Sequence, residues 1–76
     1  MPPKKDYIGR IAVKLADGTS LEFSIFKSGN SIWLNDVLLS SKSSYTWGGI
    51  DSEIGRLYNS PVESRRWVEN TGKQLF

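Results

Sequence analysis

The stretch YIGRIAVKLADGTSLEFSIF, Tyr7 to Phe26, decides the fold class, because apolar and polar residues alternate on both sides of an Asp-Gly pair. Ile11, Val13 and Leu15 recur with period two before the pair and Leu21, Phe23 and Ile25 after it, the pattern of a β-hairpin with one buried face. The loop length follows from the register. A two-residue Asp17-Gly18 turn would set Leu21 opposite Lys14 and mix apolar with charged residues on each face, since directly opposed residues share a face. A three-residue loop, Ala16-Asp17-Gly18, instead pairs Val13 with Leu21 and Ile11 with Phe23, and places Gly18 where a left-handed conformation is wanted. The three-residue loop is therefore expected.

Working outward, Lys27 to Asn30 (KSGN) reads as a second turn. SIWLNDVLLS, from Ser31, reads as a third strand and a fourth, broken at Asn35-Asp36 by two turn formers. The sheet is then an antiparallel meander of three to four strands. Ser40 to Gly49 (SSKSSYTWGG) is polar and glycine-rich and reads as a loop or an irregular strand, not a core element. Residues 51–60 fit either a short helical turn through Ile54, Leu57 and Tyr58 or a strand through Ile54, Arg56 and Tyr58, with Gly55 weakening both, and the helical turn is favoured.

SPVESRRWVENTG, Ser60 to Gly72, carries the signals of a capped helix. Ser60 can cap, Pro61 fits the first helical position, Glu63 completes a capping box, and Gly72 can end the element with a positive φ. A helix over Pro61–Asn70 puts Trp67 on the face packed against the sheet, with Ser64, Val68 and Thr71. Arg65 and Arg66 then point outward, each one turn from a carboxylate, Glu69 and Glu63 respectively. The expected fold is α+β: a small antiparallel β-meander packed by one C-terminal α-helix. Residues 1–6 read as a flexible tail and 7–76 as one small domain.

A chain of 76 residues has room for one modest core, and 38% hydrophobic with 24% charged residues is the balance of a globular domain. There is no cysteine and no histidine, which excludes disulfides, thiolate or imidazole metal sites and Cys/His or Ser/His nucleophile systems. No apolar run is long enough for a membrane span, and the first residues lack a signal-peptide core, so a cytoplasmic setting is expected. The net charge of +2 arises from ten basic and eight acidic residues, too even a mixture to imply a nucleic-acid partner by itself.

Catalysis finds little support. Asp51, Glu53, Glu63 and Glu69 are carboxylates without a recognisable pairing, and the serines at 40, 41, 43 and 44 have no histidine to activate them. The glycines match no phosphate-binding or dinucleotide pattern, and no calcium-loop spacing occurs. The chain reads as a non-enzyme without cofactor or metal.

Three tryptophans, three tyrosines and three phenylalanines are many for this length. A small core accounts for Phe23, Trp67 and one of Trp33 or Trp47. Aromatics and arginine are also what protein interfaces favour. Trp47, Arg56, Tyr58, Arg65 and Arg66 are the candidate partner-binding residues, drawn from the segment after the sheet. The leading expectation is a monomeric, protein-binding regulator or inhibitor that docks on a larger protein machine. In size and style the chain resembles many small proteins encoded by phages and mobile elements. The alternative is a basic nucleic-acid-binding domain, with Lys4, Lys5, Lys42, Arg56, Arg65 and Arg66 on phosphates and Trp47 or Tyr58 stacking on bases.

Overall fold

The computed structural model describes residues 4–39 and 46–76. Its fold is α+β: an antiparallel sheet with one helix, from the C-terminal half of the chain, packed on one face. The strands are β1 (Tyr7–Leu15), β2 (Ser20–Ser28), β3 (Ser31–Leu34), β4 (Val37–Leu39) and β5 (Val62–Asn70), and the helix is α1 (Trp47–Tyr58). The sheet order is β4-β3-β2-β1-β5. Strands β1 to β4 form the expected meander. β5 joins the far side of β1 as a fifth strand.

The hairpin register is the one the alternation demands. Val13 lies opposite Leu21 and Ile11 opposite Phe23. Leu15 N–H donates to Thr19 C=O at 2.8 Å, leaving Ala16-Asp17-Gly18 as the loop, with Gly18 at φ 92°. The β2–β3 turn runs through Gly29 at φ 59°, and the β3–β4 turn through Asn35 at φ 55°, whose short polar side chain tolerates that conformation. Asn35 also exchanges hydrogen bonds with Ser24, which tie the turn to β2.

Residues 61–70 are a strand, not the expected helix. The local capping signals were outcompeted by long-range pairing, because without β5 the backbone of β1 would be a sheet edge beside the most buried part of the core. Each signal residue takes another role. Ser60 Oγ accepts from Asp17 N–H at 3.3 Å, and Pro61 C=O accepts from Ala16 N–H at 2.8 Å, so the would-be cap instead ties the α1–β5 junction to the hairpin loop. Pro61 stands just before the first strand residue, where its missing N–H costs no ladder bond. Gly72 does adopt a positive φ, 90°, but it follows a strand. The segment from Lys4 to Asp6, read as part of a loose tail, forms a 3-10 turn, and Lys73 Nζ donates to Lys5 C=O at 2.6 Å.

The helix lies in the preceding segment, where three glycines hid it. Thr46 caps it by accepting from Gly49 N–H at 3.0 Å. At its end Asn59 turns left-handed at φ 54°, and both Asn59 and Ser60 N–H groups reach Gly55 C=O. Ile50 and Ile54, one turn apart, are fully buried against Ile11, Val13, Leu15, Phe23, Ile25, Ile32 and Leu34. This burial, and not propensity, holds the helix. Leu75 folds back to close the same core.

Two strand irregularities keep the inner face apolar. An extra residue in β1 at Ile8 lets both Ile8 and Gly9 turn toward the core. Gly9 is required there: a Cβ would collide with Glu69 C=O and come within 2.7 Å of the Trp67 ring, which lies over the glycine. Trp67 is consequently not a core residue as expected. It covers Gly9 from the sheet edge and remains 36% exposed.

Candidate functional site

The five residues expected to bind a partner fall in three places. Trp47 opens α1 and Arg65 stands opposite Val13 on β5, and the two meet on the helix side of the sheet. The Arg65 guanidinium lies 4.2 Å from the centroid of the Trp47 ring. Its fork also reaches Asp51, with Nε to Oδ1 at 2.9 Å and Nη2 to Oδ2 at 3.4 Å. Trp67 and Phe76 meet Trp47 near 90°, with centroids 5.5 and 5.8 Å away. Edge-to-face packing of this kind fixes the rings. Trp47 and Arg65 are thus engaged with each other, and they clamp α1 to β5.

Arg56 and Tyr58 lie at the far end of α1. Arg56 pairs with Glu53 one turn earlier, and Tyr58 packs beside Phe23 while remaining exposed. Arg66 stands opposite Ala12, on the face of the sheet away from the helix. Lys42, Tyr45 and the serines at 40, 41, 43 and 44 lie outside the described residues.

That outer face carries what the sequence reading missed. Tyr7 pairs with Phe26, Phe26 with Trp33 and Trp33 with Leu38, so four large apolar side chains form one row across β1, β2, β3 and β4. Residues directly opposite share a face, and strict alternation from buried Ile25 and Leu34 puts this row on the side away from α1. All four are partly or wholly exposed, Leu38 to 46%. Tyr7 and Phe26 meet edge to face at 5.4 Å. The sequence held the signal: Phe26 and Trp33 occupy positions that alternation marks as polar.

Charged residues continue the outer face toward β5. Arg10 pairs with Glu22 at 3.0 Å, and Glu69 accepts the Tyr7 hydroxyl at 2.7 Å. That bond holds the proton on Tyr7, and with partial burial and the nearby Glu69 charge it raises the phenol pKa above 10.0. Lys14 and Arg66 complete the face and have no ion-pair partner among the described residues.

The carboxylates weighed as catalysts are occupied or isolated. Asp51 holds Arg65, Glu53 holds Arg56, Glu69 holds Tyr7, and Glu63 stands exposed on β5. A cleft of about 510 Å³ beside Asp51 is walled by Ser52, Gly55, Asn59, Ser60, Pro61 and Val62, small groups that leave it open to solvent. Among the described residues no cluster of three or more acidic, cysteine or histidine side chains is placed to hold a metal ion, and no helix is long and apolar enough to cross a membrane. No protein-family model, curated protein or solved structure matches the chain.

Proposed function

We propose that the protein is a small, non-enzymatic, protein-binding regulator or inhibitor, monomeric and cytoplasmic, of the kind phages and mobile elements encode, that docks on a larger protein through the outer face of its sheet. The observation that carries this is the Tyr7–Phe26–Trp33–Leu38 row. Such a row contributes nothing to the core, which lies on the opposite face, and in water it costs free energy. Covering it is the favourable event docking supplies. Aromatic anchors bordered by arginine are what energetic centres of protein interfaces are made of.

The same face is less suited to nucleic acid. Glu22 and Glu69 lie among Arg10, Lys14 and Arg66, so a phosphate chain crossing it would meet carboxylates as well as cations. The anchors favoured are Phe26, Trp33 and Leu38 with Arg66 at the border, while Trp47 and Arg65 hold the fold beneath.

The test is a double variant, Phe26→Ser with Trp33→Ser. Its buried face is unchanged, so the amide spectrum should stay native-like while capture of a protein partner is lost. Titration with a single-stranded oligonucleotide at low and high salt runs beside it. Tight binding that weakens steeply with salt and vanishes in the variant would replace a protein partner with a nucleic acid.

A further inference from the structure

We infer that β5 is a docking edge for an extended segment of the partner carrying alternating acidic and apolar residues, added to the sheet as a sixth strand. This rests on the reading of the protein as a protein-docking module and names the chemistry of what it docks. β5 is a nine-residue edge strand with β1 on one side and, among the described residues, no strand on the other. Alternate backbone N–H and C=O groups along such an edge face outward, and they template a further strand.

The two register shifts in the β1–β5 ladder define the template. Val68 is extra between Trp67 and Glu69, and Glu63 is extra between Val62 and Ser64. Bulges blunt an edge where they occur. The run between them, Ser64 to Trp67, is regular and has no second neighbouring strand among the described residues. A short run of this kind admits one strand of limited length and does not favour open-ended fibres.

Charge decides which strand. Two copies of β5 pairing antiparallel about a two-fold axis must keep their helix sides together, so inward residues meet inward ones. The two registers centred within the regular run then set Arg65 against Arg65 or Arg66 against Arg66. Like charges directly opposed are destabilising, so a second copy is disfavoured. Arg65 is already held by Asp51 and the Trp47 ring, which leaves Arg66 as the arginine of the run without an ion-pair partner among the described residues. Lys14 stands on the same outer face two residue pairs away, opposite Ser64. A partner strand with a carboxylate opposite Arg66 satisfies it, and an apolar residue opposite Trp67, on the other face, covers the exposed part of that ring.

The experiment uses two capped peptides of about six residues, the length of an ordinary strand. One alternates valine with glutamate and the other valine with lysine. The full chain is followed by amide exchange and chemical shifts. The glutamate peptide should slow exchange within Ser64–Trp67 and bind about tenfold more tightly than the lysine peptide. Arg66→Glu, at an exposed position, should invert that preference. Equal binding of both peptides, no protection within Ser64–Trp67 by either, or a preference unmoved by Arg66→Glu overturns the inference. Should the peptides fail while Phe26→Ser with Trp33→Ser still abolishes partner capture, strand addition is wrong and docking stands. If the glutamate peptide protects β5 but capture survives the double variant, the edge stands and the outer face is not the docking surface.

Discussion

Tyr7 joins the two ends of the described chain, since its hydroxyl donates to Glu69 across 62 residues of sequence. Donating requires the phenol to be neutral, and its pKa is raised first by that bond, then by burial and the Glu69 charge. The folded chain therefore holds the proton more firmly than the unfolded one. Its stabilising contribution is fully present below the unfolded value, about 10, and is lost as pH climbs from there through the raised folded value. Tyr7→Phe should remove the late-ionising phenol from an absorbance titration and flatten the alkaline fall in stability. Loss instead of a phenol titrating at the ordinary value, about 10, would show that the Glu69 bond does not form in solution. Asp17 works in the opposite sense: accepting Thr19 N–H at 2.9 Å lowers its pKa, so the loop it shapes loosens only in acid, below the ordinary aspartate range.

At the scale of elements, Arg65 and Arg66 are adjacent in sequence and opposite in consequence, because a strand sends neighbouring side chains to opposite faces. On a helix both would be solvated, and truncating either would cost under about 0.5 kcal/mol. On β5 that holds for Arg66 alone. Arg65 carries a forked bond to Asp51 and a cation–π contact with Trp47, both on α1, at sites roughly a quarter exposed. Arg65→Ala should cost about 1–2 kcal/mol after allowing for solvent screening, and Arg66→Ala should stay within the experimental scatter of the denaturant midpoint. Equal midpoints for the two variants would mean that the clamp between α1 and β5 is absent. Trp67→Ala should cost about 2 kcal/mol, at least as much as Arg65→Ala, because the ring covers Gly9 although it is not enclosed.

For the molecule as a whole, one core carries the fold, and a domain of this size has little stability to spare. Ile54 is fully buried where the helix meets the sheet, so Ile54→Ala should cost about 2–5 kcal/mol and lower the melting temperature sharply. The outer row behaves differently: changes at Trp33 should alter docking far more than melting. A large loss of melting temperature in Trp33→Ser with little change in Ile54→Ala would exchange the two faces.

The hairpin was legible from Tyr7 to Phe26 because its information is local: alternation, a glycine at the one position needing positive φ, and a register that only one loop length satisfies. The β3–β4 break at Asn35-Asp36 was legible for the same reason. The meander followed from those elements, while the one helix of the α+β class was expected at Pro61–Asn70 and is found at Trp47–Tyr58. Of the candidate site, sequence named Arg66 and showed that aromatics are many for the length, and it brought Trp47 and Arg65 into one list without showing that they touch. What lay beyond it was non-local. SPVESRRWVEN carries sound helix-capping signals, yet pairing seven residues with β1 outweighs a cap worth about 1 kcal/mol. WGGIDSEIGRLY is poor in helix propensity, yet Ile50 and Ile54 find a sheet to cover. The row from Tyr7 to Leu38 exists only once four strands lie in register, since its members are far apart in sequence. Local chemistry determined the turns and the alternation, and tertiary contact decided which segment became the helix, which became the edge, and which face was left open.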